Sequence, residues 1–280
     1  MWQFITATPV NHCRSSLYLV ATQSRGRHRY DCQVAGRTYR TASGRRAKVR
    51  EPTAPDIPDD LTETSLPEAE LDDGVVQVGL AVSDVDLSGR QAAGAELDEC
   101  RYTTVSFASV QLRRATIRDV EFDRCDLANL LARDSSLIRV AVRGSRMTGL
   151  ALLACTVRDV AFLDCRMDMA SFSGSRFANV TFTNCRLDQA SFGEADLSGV
   201  EFEHCDLSAA QMSGATLTGA RFTGCDLTGI SSVTSLRGAI ITSSDAVTLA
   251  RIFAEALGIT IEDEPSLSGT RIRGGREGRP

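Results

Sequence analysis

From Leu80 to Ile230 a large apolar residue returns at every fifth position without a slip. Counting from Val82, the series runs through Leu87, Ala92, Leu97, Tyr102 and Phe107 and on to Met212, Leu217, Phe222 and Leu227. Of these thirty centres only Ala92 and Ala132 are as small as alanine. Two residues before a centre stands a small or β-branched residue, as at Cys125, Val160, Ala170, Ser175, Val180, Cys185, Ala195 and Cys205. The other three positions are mostly Asp, Arg, Ser, Thr, Gly or Asn, so two positions in five face inward. A period of five fits neither the 3.6 of an α-helix nor the 2 of a strand, and the chain must therefore turn regularly.

A second period of 20 says how it turns. VAFLDCRMDMASFSGSRFAN from Val160 aligns with VTFTNCRLDQASFGEADLSG from Val180 and VEFEHCDLSAAQMSGATLTG from Val200. Four fives make one unit, and residues 20 apart stack on the same wall of successive coils. Phe162, Phe182, Phe202 and Phe222 form one such column, and Cys165, Cys185, Cys205 and Cys225 another. Each unit buries only its own inward side chains, so stability comes from stacking on neighbours. At ~4.8 Å per coil, the 150 residues give about 7.5 coils and a rod of roughly 36 Å.

Ala195-Asp196-Leu197-Ser198-Gly199, Cys205-Asp206-Leu207 and Cys225-Asp226-Leu227-Thr228-Gly229 follow the pattern A(D/N)LXX, and on these motifs the segment resembles the pentapeptide-repeat family. The resemblance implies an all-β solenoid, a right-handed quadrilateral β-helix with the large central residue in its lumen. It also implies an alternative for function. Some family members, the quinolone-resistance group, resemble B-form DNA in shape and negative potential and bind DNA gyrase in its place, as dimers joined through a C-terminal helix.

The flanks differ in character. Residues 1–50 hold ten Lys and Arg against one acid, Asp31, with no sustained apolar period. They are expected to be a basic leader that is disordered, or upstream sequence preceding a true start near Val49. Residues 51–79 invert the charge, with nine acids, no base and four prolines, and read as a lead-in whose Val75-Val76-Gln77-Val78 adds a first strand to the array of 80–242. The register slips at Ser231 to Ser235 and resumes one residue early, with Leu236 and Ile241 central. Ser243, Ser244 and Asp245 offer N-cap oxygens and Gly258 a C-terminal glycine, which predicts a short α-helix over 245–257 within a segment 243–261. Its apolar residues are too many for one stripe. Val247, Ile252, Phe253 and Leu257 are the candidates for a cap over the last coil or a homodimer contact. The Gly- and Arg-rich tail, 262–280, is expected to be disordered.

Composition removes several classes of function. No apolar run approaches the ~18–20 residues that span a bilayer, so no membrane role is expected. Arginine supplies 30 of the 31 basic side chains, a bias expected of a GC-rich, actinobacterial-like bacterial genome. Cys100, Cys125, Cys155, Cys165, Cys185, Cys205 and Cys225 all take the small inward position, and there is no C-x-x-C pair, so free thiols in a reducing cytoplasm are expected. His204 points outward beside inward Cys205, which precludes a nucleophilic pair. No phosphate loop or zinc spacing occurs; no enzyme, cofactor or metal is expected. Asp86, Asp126, Asp196, Asp206 and Asp226 precede centres, where Asp favours turns.

Function then falls to the outer walls. Residues 80–230 hold 20 acids and 15 arginines, a net of −5, far from the unbroken stripe that would match one charge per ~1.7 Å of duplex. Candidate acidic surfaces are Glu194, Asp196, Glu201, Glu203 and Asp206, and separately Asp119, Glu121, Asp123 and Asp126. Arg146, Arg166 and Arg186 should form a basic ladder. The reading is a non-catalytic interaction scaffold with an unidentified protein partner and no direct nucleic-acid binding by the repeats; the alternative is a DNA-mimicking binder of gyrase.

Overall fold

The computed structural model describes residues 38–40, 46–48, 51–65 and 69–261. The chain divides into two compact units, 1–50 and 51–280. Within the first, where no regular structure was expected, strands Thr38–Arg40 and Arg46–Lys48 pair antiparallel with Thr38 opposite Lys48. The rest of the leader and the tail 262–280 lie outside the described residues.

In the second unit the two sequence periods become a four-sided parallel β-helix. One wall pairs Arg101–Thr103 with Glu121 to Asp123 and, coil by coil, reaches Glu201–Glu203 and Arg221–Thr223. A second carries single bridges from Asp86 through Ser106 and Asp126 to Asp226. The third stacks Gln91–Ala93, Gln111–Arg113, Leu131–Arg133 and Ala151–Leu153. Glu96–Asp98 and its successors make the fourth, which runs into the first without a break in strands Thr116–Asp123, Ser136–Arg143, Thr156–Leu163 and Arg176–Thr183.

Each five-residue unit turns on the residue two after its centre. That residue is left-handed, with φ between 51° and 74°, at all thirty corners from Asp84 to Gly229. Twenty of the thirty are not glycine, at about 1 kcal/mol or more each. The corner N–H offsets this by donating to the next coil, as from Asp164 to the Thr183 carbonyl at 3.0 Å. The aspartates before centres brace the same turns: Asp86, Asp126, Asp196, Asp206 and Asp226 each accept the N–H two residues on, at 2.9–3.1 Å.

The lumen is lined mainly by apolar side chains and leaves a cavity of about 30 Å³ bordered by Leu97, Phe107, Leu112, Ile117 and Phe122. Phe162, Phe182, Phe202 and Phe222 stack at centroid spacings of 4.8, 5.0 and 5.0 Å with planes within 10°. A second column, Phe172 over Phe192, meets the first edge-on, with Phe172 and Phe182 at 6.1 Å and 69°. The seven described cysteines are buried free thiols. Burial raises those of Cys100, Cys125 and Cys155, Cys125 to about 11.

The rod is longer than the five-residue pattern marks. The first wall continues to Thr62–Thr64, which pairs with Leu80 to Val82, and Val76–Val78 pairs with Glu96–Asp98. At the other end Ile240–Ile241 pairs with Arg221 and Phe222, a coil one residue short. The total is about nine turns rather than 7.5. The strand expected from Val75-Val76-Gln77-Val78 forms at Val76–Val78, although Gln77, five before Val82, is a polar centre. Gln77 is buried, and its side chain accepts from Tyr102 Oη at 2.6 Å and donates to the Glu70 carbonyl at 3.1 Å.

The helix spans Ser243–Ala256, starting two residues before the expected 245. Thr242, not Ser243 or Ser244, is the cap: its Oγ1 accepts from Asp245 N at 3.3 Å and donates to Asp245 Oδ2 at 2.6 Å. Gly258, at φ +72°, ends it as expected, with Ile259 N donating to the Ala254 carbonyl at 2.8 Å.

Candidate interaction surface

The arginine ladder exists as a row. Bridges join Asp126, Arg146, Arg166, Arg186 and Asp206 along the second wall, one residue per coil, all three arginines exposed. Arg146 pairs with Asp126 at 3.0 Å, and Arg186 reaches Asp168 at 3.3 Å and Asp188 at 3.6 Å. Arg166 makes no ion pair among the described residues. Asp168 and Asp188 occupy one position on successive coils, and a carboxyl–carboxyl hydrogen bond with Asp168, then burial and the like charge, push the Asp188 carboxyl above its ordinary value.

The acidic candidates do not form a stripe. Glu194, Asp196, Glu201, Glu203 and Asp206 all fall within one 20-residue coil, so they pass around the rod instead of along it. Asp196 is on the fourth wall, Glu201 and Glu203 on the first and Asp206 on the second, and Glu194 is a corner. Glu201 meets Arg221 at 3.8 Å. In the other group every member faces an arginine: Asp119 pairs with Arg139, Glu121 with Arg101 at 2.9 Å, Asp123 with Arg124 at 2.9 Å and Asp126 with Arg146. Burial works against the Asp119 carboxylate, but the Arg139 guanidinium and the Asp56 N–H outweigh it and hold that carboxyl below its ordinary value.

Six ion pairs among the described residues lie 20 residues apart: Arg90 with Glu70, Arg118 with Asp98, Arg101 with Glu121, Arg139 with Asp119, Arg146 with Asp126 and Arg221 with Glu201. They cross-link coils and cancel charge together. Charges that complement at a spacing of 20 were the signal, visible once the coil length was known.

The end helix divides the four residues singled out on it. Ile252 and Phe253 pack against the core beside fully buried Leu249, the anchor that the candidate set lacked. Val247 and Leu257 point away, each 76% exposed, and continue into exposed Ile259 and Ile261. His204 is a corner residue and Cys205 is buried, so the two do not converge. Among the described residues no three metal-ligating side chains gather and no helix is long and apolar enough to cross a membrane.

A four-sided parallel β-helix with a five-residue unit and an apolar lumen defines a class of repeat protein. Residues 115–192 and 165–231 match the pentapeptide repeat region family, and the chain is a pentapeptide-repeat protein. Among solved structures, QnrB1, a plasmid-mediated fluoroquinolone resistance protein, is 23% identical over 69% of this chain and 98% of its own, with a TM-score of 0.34. HetL, a pentapeptide repeat protein involved in heterocyst differentiation regulation from the cyanobacterium Nostoc, is 19% identical over 62% of this chain and 93% of its own, with a TM-score of 0.20. Both are likenesses of fold alone. No match was found among curated proteins.

Proposed function

We propose that this protein is a non-catalytic cytoplasmic scaffold that binds a protein partner through its second wall. The observation that carries the reading is the row Arg146, Arg166, Arg186. It presents three exposed cations at a fixed pitch of ~4.8 Å, the middle one without an ion pair among the described residues. Such a row complements an acidic strand or helix face on a partner, where charge sets orientation and encounter rate. The exposed edge Val247, Leu257, Ile259 and Ile261 supplies a second contact, between two copies of the chain.

DNA mimicry of gyrase is the weaker reading. A mimic needs net negative potential along one side, and the acids named for it encircle the rod or are paired with arginines.

Affinity capture with wild type and with Arg146→Ser, Arg166→Ser, Arg186→Ser together tests the proposal. A specific partner held by the wild type and lost from the triple variant is the expected result. A partner retained equally by both overturns the assignment of the wall. Inhibition of gyrase supercoiling at micromolar protein, strengthened in the triple variant, would instate the mimic.

A further inference from the structure

The acidic lead-in does not run free. Residues 51–58 carry no ladder of their own and lie along the corner where the fourth wall passes into the first. Asp56 N donates to Asp119 Oδ1 at 2.9 Å and Thr53 N to Asp159 Oδ1 at 3.2 Å. Both acceptors are held from the neighbouring coil: Arg139 bonds both Asp119 oxygens, and Asn179 Nδ2 donates to Asp159 Oδ1 at 3.0 Å.

The spacing fits one conformation of the bound chain. Asp119 and Asp159 are two coils apart, ~9.6 Å at the coil pitch. Their donors are three residues apart, which in polyproline II is one turn of ~9.3 Å. Pro52, Pro55 and Pro58 recur at the same interval of three. All three are half-buried, while Thr53, Ala54 and Asp56 between them are exposed. The residue following each of the first two prolines supplies the N–H. The row has an end in each direction, since the next acceptor positions at the same step are Gly79 and Gly199, which have no side chain. The contact is carried by backbone N–H groups and not by net charge: the corner column reads Glu99, Asp119, Arg139 and Asp159, and Arg139 is already bonded to Asp119.

We infer that this corner is a docking groove for an extended peptide with proline at every third residue, closed in this chain by its own residues 51–58. A partner segment of the same spacing enters by displacing the strap. The groove is separate from the arginine row on the second wall and does not depend on that row's function.

The test keeps the full chain and loosens the strap with Pro52→Gly, Pro55→Gly and Pro58→Gly, which removes the preference for polyproline II without touching the coils. The probe is a fluorescein-labelled peptide of sequence EPTAPDIPDD, read by anisotropy. It should bind the triple-glycine variant at least tenfold more tightly than wild type, because a tethered strap competes at an effective concentration of order millimolar. A peptide with one glycine inserted after its alanine breaks the match to two coils and should lose at least tenfold. No binding to the variant at millimolar peptide, equal binding to variant and wild type, or equal binding of the register-shifted peptide overturns the proposal.

Discussion

Inside the lumen at the N-terminal end, the Tyr102 hydroxyl donates to the Gln77 side-chain oxygen at 2.6 Å, and both residues are buried. Neither group has water to turn to. Gln77→Leu or Tyr102→Phe alone strands a buried polar partner and should cost about 1–3 kcal/mol. The double variant removes both groups and should cost less than the sum of the singles, with a coupling of about 0.5–3 kcal/mol. Urea unfolding of the four proteins measures this, and additive losses would show that the pair does not act as a unit.

Phe182 has a ring stacked on each side, so Phe182→Ala should leave a cavity worth about 3–5 kcal/mol. Thr183, the next residue, faces outward, and Thr183→Ala should stay within ~0.5 kcal/mol. Equal losses in chemical denaturation would contradict the column.

Two carboxylates should shape the acid limb of stability with opposite signs. Asp119 titrates lower in the folded state than the ordinary ~3.9, so its contribution is present above that value and is lost as pH falls through the lower folded value. Asp188 titrates higher than its ordinary value, so its ionised form destabilises the fold at neutral pH and the deficit disappears on acidification. Asp119→Asn should lower stability at pH 7 and flatten the loss below pH 4; Asp188→Asn should raise stability at pH 7, with the gain fading toward acid pH. Urea midpoints between pH 7 and 3 give both signs.

The end helix should separate anchoring from association. Leu249→Ala empties a fully buried site and should cost about 2–5 kcal/mol, and Asp245→Ala removes acceptors for Thr242 Oγ1 and Gly224 N, at about 1–2 kcal/mol. Val247→Ser with Leu257→Ser should leave the melting of an isolated copy unchanged while shifting sedimentation from dimer to monomer. A wild type that sediments as a monomer at all concentrations would remove the second contact.

The repeat alone determined the solenoid, its coil of 20, the inward thiols and the turn-bracing aspartates. It could do so because a lumen one side chain wide imposes the same size limit at every fifth residue, and a limit repeated thirty times is legible without coordinates. The Arg146, Arg166, Arg186 row was equally legible, since position within the coil fixes the wall. Tertiary structure decided the rest. Whether Glu121 is an exposed charge or half of a pair depends on Arg101, 20 residues away, and on the reach of both side chains. The length of the rod depended on Gln77, which breaks the apolar pattern while filling a centre, because Tyr102 and the Glu70 carbonyl satisfy it. The strap was written in the sequence only as three evenly spaced prolines. Its docking uses backbone N–H groups, which carry no residue signature, and two acceptors 40 residues apart that only the stacking of coils sets one polyproline turn from each other.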